Sequence, residues 1–456
     1  MKGNKYSLAK AIPAVRTWGL GVAVLLTLVS LTFAQGASWT QKSPSTHPES
    51  GYYPAMVYDS AHNQVVLFGG VDSSIFTPSP TRSDETWTWD GSTWTKQSPV
   101  TKPPARCCFG MAYDAARDQV VIFGGFGPGS GILSDTWVWD GLNWTQKASG
   151  PGPRGHVAMT YDAARQQVVL YGGGGGTPTP FGDTWVWDGT TWTQQFPAHS
   201  PGLRNEARLV YDSARAEVVL FGGWNGGSQV NETWVWDGVD WTQKFPVTSP
   251  SPREDYAAAY DANLQRVVLF SGVRGSCPPV DDLTWTWDGT NWTQESPAAS
   301  PSGRWGAAAA YDSARGQVVM FGGRDCSQER VLTDTWVWSG GVIPVAIDIK
   351  PGSFPNSINL GSGGTVPVAI VSTATFDATT VDPTTVTLAS APVKLTGKGT
   401  PMASFQDINE DGFNDLVVHV STQTLQLSET DTQAVLEGQT FSGEHIRGTD
   451  TIRVVP

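Results

Sequence analysis

Two groups of residues have the types and spacing to do chemistry. The first is Asp407-Ile408-Asn409-Glu410-Asp411-Gly412-Phe413-Asn414-Asp415, which has the spacing of a calcium loop. Side chains of Asp407, Asn409, Asp411 and Asp415 and the Phe413 carbonyl are hard oxygen donors, and Gly412 permits the sharp turn. The twelfth position is Val418, not the bidentate glutamate of a helix–loop–helix site. The flanks Ala403-Ser404-Phe405 and Leu416-Val417-Val418 read as strands. A structural Ca2+ in a hairpin is therefore expected, with an acidic turn that holds no metal as the alternative.

The second group stands at fixed distance before a recurring Tyr-Asp pair. Seven residues ahead of each tyrosine lie Gly51, Arg106, Arg154, Arg204, Arg253 and Arg304. The positions just after them differ from copy to copy and include Tyr53, His156, Glu206, Asp255 and Trp305, with Trp224 in a nearby loop. Aromatics and charges of this kind suit a sugar, through stacking and hydrogen bonds. The arginines have a second reading. Glu85, Asp135, Asp183, Glu232 and Asp334 precede the Thr-Trp of five copies, with Leu283 in the remaining one, the fifth, so arginine–carboxylate pairs could tie strands together instead. His156 likewise could simply be a packed histidine.

The elements that position these residues come from a repeat. Tyr58, Tyr113, Tyr161, Tyr211, Tyr260 and Tyr311 each precede Asp, at a period of about 50 residues. An apolar run then ends in aromatic-Gly-Gly, as at Phe123-Gly124-Gly125, with Phe270-Ser271-Gly272 as the variant. Thr-Trp-x-Trp-Asp-Gly follows, as at Thr136 to Gly141, and a Trp-Thr closes the unit. Val, Trp, Tyr and Thr favour strands, Asp-Gly favours a tight hairpin, and Asp in the first turn can bond its own backbone. Each unit therefore reads as four short antiparallel strands, and the Trp-x-Trp pairs read as core between units. The sixth unit ends at Ser339-Gly340-Gly341 without its Trp-Thr strand, while an orphan copy, Trp39-Thr40-Gln41, precedes the first. The Trp39 strand is expected to close the sixth unit, leaving no open sheet edge. The turns at one end are short and uniform, and the loops at the other vary, which marks the loop-rich end as the binding face.

Four-stranded units at this period with double glycines resemble the kelch repeat of the galactose oxidase-like propeller superfamily. The resemblance covers residues 38–340 and implies an all-β fold, a six-bladed propeller over 35–341 followed by a smaller β-sandwich over 342–456. It also raises the enzymes built on such propellers. A galactose oxidase-type copper site needs histidine ligands, and His156 is the one histidine at a pocket position, so that ligand set is absent. Sialidases and mutarotases use Arg, Glu and Tyr around the central opening, which Arg154, Arg204, Glu206 and Arg253 keep open as an alternative. The C-terminal region resembles uncharacterised modules of exported bacterial proteins, through Asp348-Ile349-Lys350-Pro351-Gly352-Ser353 and the acidic loop.

Composition agrees with this class. Of 456 residues 51 are Gly and 31 Pro, while 16% are charged, which argues for a turn-rich β protein and against long surface helices. A net charge of −13 is a poor fit to nucleic acid or an anionic membrane. Lys2, Lys5, Lys10 and Arg16, the apolar run Trp18 to Leu31 and Thr32-Phe33-Ala34 read as a secretory signal over 1–34, with an uncleaved anchor helix as the alternative. No later segment is apolar enough to span a bilayer. In an exported protein Cys277 and Cys326, in adjacent loops, are expected to form a disulfide. Cys107-Cys108 reads as two packed thiols or a vicinal disulfide. The expected protein is thus a secreted, cell-surface or periplasmic monomer that binds a glycan or protein without catalysis; the alternative is an enzyme acting on a sugar.

Overall fold

The computed structural model describes residues 37–72, 81–175, 179–274, 280–325, 330–341, 343–373, 376–441 and 445–455. The expected signal over 1–34 and the expected Cys277–Cys326 disulfide lie outside them. Strands dominate. Six four-stranded antiparallel sheets carry the repeats among the described residues. The second sheet is typical: Gly110–Asp114, Gln119–Phe123, Thr136–Trp139 and Trp144–Lys147 pair in sequence order. Its register sets Tyr113 opposite Val120, Val120 opposite Trp139 and Trp139 opposite Trp144, and the other sheets keep the same phase.

The inner strands form a closed ring. Ala55–Asp59 packs on Gly110–Asp114, then Ala158–Asp162, Arg208–Asp212, Ala257–Asp261 and Ala308–Asp312, which returns to Ala55–Asp59. This is a six-bladed propeller-like arrangement. The last blade is completed by the first described strand: Ser38–Lys42 pairs antiparallel with Thr335–Ser339, with Trp39 opposite Trp338. Sheet order there is Ser38–Lys42, Thr335–Ser339, Gln317–Phe321, Ala308–Asp312.

The tryptophans explain why the blades stack. The second of each Trp-x-Trp pair (Trp89, Trp139, Trp187, Trp236, Trp287, Trp338) is fully buried between sheets. The outer-strand tryptophan donates its indole N–H to the threonine opening the third strand of the preceding blade. Trp144 reaches Thr86 Oγ1 at 2.9 Å, Trp192 reaches Thr136 at 2.9 Å, and Trp39 reaches Thr284 at 2.9 Å. Trp241, Trp292 and Trp94 do the same to Thr184, Thr233 and Thr335, so six bonds circle the ring. Each satisfies an indole that would otherwise be buried unpaired.

On the uniform face, the Tyr-Asp motif does two jobs. The tyrosine hydroxyl accepts a backbone N–H from the preceding blade's turn, as Tyr113 does from Ala61 at 3.2 Å. The aspartate is buried and pairs with an arginine three residues on, at 2.8 Å for Arg117–Asp114 and 2.7 Å for Arg215–Asp212. His62 takes that role in the first blade. In the fifth blade Leu264 stands there instead, and Asp261 is held by the N–H groups of Asn263 and Leu264 at 3.0 and 3.2 Å.

The C-terminal region has its own core. A five-stranded sheet (Ile343–Pro344, His445–Thr451, Gln433–Thr440, Val381–Leu388, Ala391–Pro392) faces a four-stranded one (Ile347–Ile349, Thr365–Ile370, Asp415–Ser421, Ala403–Gln406). Ile349, Val368, Ile370, Val386, Leu388, Leu416, Val418, Leu436 and Ile446 from the two sheets form one apolar cluster. This region meets the propeller at the fifth blade, where Arg447 donates to Asn263 Oδ1. Leu264 and Arg266 line a cavity of about 320 Å3 with Thr385, Thr387, His445 and Ile446.

Candidate functional site

The segments leading into the inner strands build a ring on the loop-rich face. Each Arg position presents its carbonyl to the double glycine of the preceding blade: Gly125 N–H donates to Arg154 O at 2.9 Å. A Cβ on Gly124 would stand 2.5 Å from that oxygen, and Gly124 has a φ of +68°, so a side chain is excluded twice over.

Two residues after the Arg position the chain turns left-handed in every blade. Tyr53, Cys108, His156, Glu206 and Asp255 have φ of 53°, 62°, 51°, 57° and 55°, and Gly306 has 65°. Their amides form a closed circle. Cys108 N–H donates to Tyr53 O at 3.5 Å, His156 to Cys108 at 2.6 Å, Glu206 to His156 at 3.2 Å and Asp255 to Glu206 at 3.0 Å. Gly306 donates to Asp255 at 2.9 Å and Tyr53 to Gly306 at 2.9 Å, closing it. Left-handed backbone costs a non-glycine residue about 1–2 kcal/mol. Strain of this kind is held where the surrounding structure over-determines it, typically at binding sites. Outside this circle a second tier of paired residues forms the rim: Tyr52 with Val71, Cys107 with Phe126, Gly155 with Gly174, Asn205 with Trp224, Glu254 with Val273, and Trp305 with Arg324.

The circle gathers Tyr53, His156, Glu206 and Asp255 at the loop-rich mouth of the ring; Tyr53, Cys108, His156 and Arg208 also line a central cavity of about 270 Å3 that runs along the inner strands to Tyr58, Tyr113 and their equivalents on the uniform face. The Tyr53 hydroxyl donates to Asp255 Oδ2. The His156 ring stands edge-on to Tyr53 at 5.2 Å and to Phe126 at 5.3 Å. Its Nδ1 lies 3.4 Å from Glu206 Oε1. Donor atoms of His156, Glu206 and Asp255 all fall within 4.8 Å of one another. Trp305 stands on the rim against Tyr52 at 5.1 Å, and Trp224 is half-buried on the rim of the fourth blade.

Burial sets the electrostatics. Glu206 is pushed up to about 8, first by burial and then by the charge of Asp255. Glu254, beside it, is also pushed up to about 8 by burial and by Glu206, while Gln229 donates to its Oε1 at 3.0 Å. Asp255 rises to about 6 through burial, against the opposing pull of His156 and Arg208. Burial lowers His156 and raises Tyr53. Cys107 and Cys108 are free thiols with sulfurs 3.1 Å apart, and burial holds Cys108 in its protonated form.

The arginines are placed elsewhere. Arg106, Arg154, Arg204, Arg253 and Arg304 are buried inside their blades, not at the mouth. Arg106 makes two 2.8 Å bonds to Asp135, and Arg304 reaches Asp334 at 2.6 and 3.1 Å. Arg154 pairs with Asp183 and Arg204 with Glu232. Arg253 also has a partner: Asp281, two residues before Leu283, bonds it at 3.1 Å. Each arginine ties the entry segment to the third strand, the structural pairing that the sequence offers beside ligand contact.

Glu254 and Arg208 escaped the sequence reading. Arg208 was legible, because its column otherwise holds Ala55, Gly110, Ala158, Ala257 and Ala308. The circle of left-handed residues carried no such signal, since five of its members are not glycine.

In the C-terminal hairpin, Asp407, Asn409 and Asp411 are exposed, and Gly412 turns with a φ of +91°. Asp407 accepts from the amides of Asp411 and Gly412 at 3.1 and 2.9 Å. Buried Asp415 accepts from Ile408 and Ser372 at 3.0 and 2.7 Å. Phe413 donates its own amide to Asp411 at 2.9 Å. Among the described residues no helix is long and apolar enough to cross a membrane. No protein-family model matches the chain, and no curated protein matches it.

Proposed function

We propose that this chain is an exported kelch-type propeller that binds a carbohydrate or protein, without catalysis, through its loop-rich face. One observation carries the reading. The six blades share one backbone geometry at the mouth yet place Tyr53, Cys108, His156, Glu206, Asp255 and Gly306 there, of which His156 and Glu206 are partly exposed, whereas the opposite face repeats one turn almost unchanged. A symmetric scaffold with an asymmetric set of polar and aromatic side chains suits one oriented polar ligand. Partly exposed Trp305 offers an aromatic ring, and the carboxyl groups offer hydrogen bonds, as a sugar requires. The C-terminal sheets serve as an attachment or partner module, steadied by Ca2+ in the 407–415 loop. The protein acts outside the cytoplasm as a monomer.

The test is a glycan and polysaccharide array probed with the purified protein, with and without Ca2+. A saturable hit that Trp305→Ala abolishes supports the reading. A blank array transfers the proposal to a protein partner.

A second reading, an enzyme acting on a sugar, draws on the carboxyl groups. Glu206 and Glu254 at about 8 beside Asp255 at about 6 are poised as acid and base at neutral pH. Turnover of a bound sugar that disappears in Glu206→Gln would favour it over binding alone.

A further inference from the structure

We propose that the mouth of the propeller holds a divalent first-row transition-metal ion, such as Zn2+ or Mn2+, ligated by His156, Glu206 and Asp255. The inference is independent of which ligand the face takes. It begins with convergence: the donor atoms of these three side chains lie within 4.8 Å of one another, and among the described residues theirs is the group of His, Cys, Asp and Glu side chains that does so. Metal–ligand bonds of about 2.0–2.2 Å set donors on one ion roughly 3–3.5 Å apart, so small side-chain rotations complete the site.

A second, separate observation is an unmet need. Asp255 is 1% exposed, and its Oδ1 has no hydrogen-bond partner. Its other oxygen is held by the Tyr53 hydroxyl, which fixes the carboxylate and leaves Oδ1 unpaired. Buried carboxylate oxygens without partners are costly, and a cation would satisfy this one.

The surroundings orient the donors. The imidazole is clasped edge-on by Tyr53 and Phe126, and Nδ1 already faces Glu206. The closed amide circle fixes the Cα positions of all three ligands. Hydrogen bonds around a metal's ligands orient them in this way.

The donor set selects the metal class. An imidazole nitrogen disfavours Ca2+ and Mg2+, which take oxygen, and the two carboxylates suit Zn2+ or Mn2+. Three protein donors leave at least one coordination position open.

The experiment uses the full chain stripped with chelator and titrated with ZnCl2 by calorimetry, and with MnCl2 by electron paramagnetic resonance. The expected result is one high-affinity equivalent that loses about tenfold or more affinity in His156→Gln and in Asp255→Asn. Asp407→Ala, in the C-terminal loop, should leave that equivalent intact, which separates the two sites. Circular dichroism and melting curves show whether each variant folds, and His156→Gln, which keeps a polar side chain, serves if Asp255→Asn does not. Failure of the unaltered protein to bind either ion at millimolar concentration overturns the proposal. So does binding that survives His156→Gln or that Asp407→Ala removes.

Discussion

Replacing Asp261 with asparagine should stabilise the protein at neutral pH and leave it unchanged in acid. Equivalent aspartates in four other blades pair with an arginine three residues on, and in the first blade His62 plays that part. Asp261 faces Leu264 there, because that turn packs on Gly340: a Cβ at Gly340 would stand 2.1 Å from Leu264 Cδ1. The carboxyl is 1% exposed, and burial without a cation pushes it up from 3.8 to about 6. A carboxyl raised in the folded state binds its proton more tightly there than in the unfolded chain. Its contribution is therefore complete below pH 4 and lost as pH climbs through 6. A rise of about two units at about 1.4 kcal/mol each makes the loss about 3 kcal/mol by pH 7.5. Asparagine keeps an acceptor for the Asn263 and Leu264 amides and removes the charge. Calorimetric melting of both proteins at pH 4.0 and 7.5 measures the difference, and the other raised carboxyls cancel in the comparison. Equal melting temperatures at pH 7.5, or a less stable variant there, would show that the aspartate is compensated and refute the argument.

Two further expectations concern the ring and the C-terminal loop. Trp39→Ala should cost about 3–5 kcal/mol, because the indole fills the seam between the fifth and sixth blades, whereas Trp39→Phe should lose only the bond to Thr284, about 1 kcal/mol. An unchanged thermal transition in Trp39→Ala would break the closure argument. Ca2+ should bind at 407–415 with affinity on the order of 0.1–1 mM and raise the melting temperature, and Asp411→Ala should abolish both. Calorimetry without heat at millimolar Ca2+ would exclude it.

Much of the architecture was legible because it repeats. Six copies of Tyr-Asp and Trp-x-Trp and five of Gly-Gly are tied to recurring roles, so blade boundaries and the Trp39 closure follow from counting strands. The mouth residues Tyr53, His156, Glu206, Asp255 and Trp305 could be named because they vary where the rest is constant. Their arrangement was not legible. Whether an arginine faces a ligand or a buried acid depends on a side-chain direction that repeat phase alone does not give, and Arg253 finds Asp281 two residues out of phase. The left-handed circle is imposed by hydrogen bonds between blades, a long-range effect that overrides the local preferences of tyrosine and histidine.

The pairing of Trp39 with Trp338 also bears on how the chain is made. A ring that draws its last outer strand from the beginning of the chain cannot shut during synthesis until the sixth blade has emerged. Through that interval Ser38–Lys42 has no sheet to join, and the indole of Trp39 has no Thr284 partner until the fifth blade exists. Contacts between residues so far apart form slowly, since the loop entropy of the intervening chain comes before any gain from the contact. The first blade, which waits for the sixth, therefore spends the longest time with an open flank.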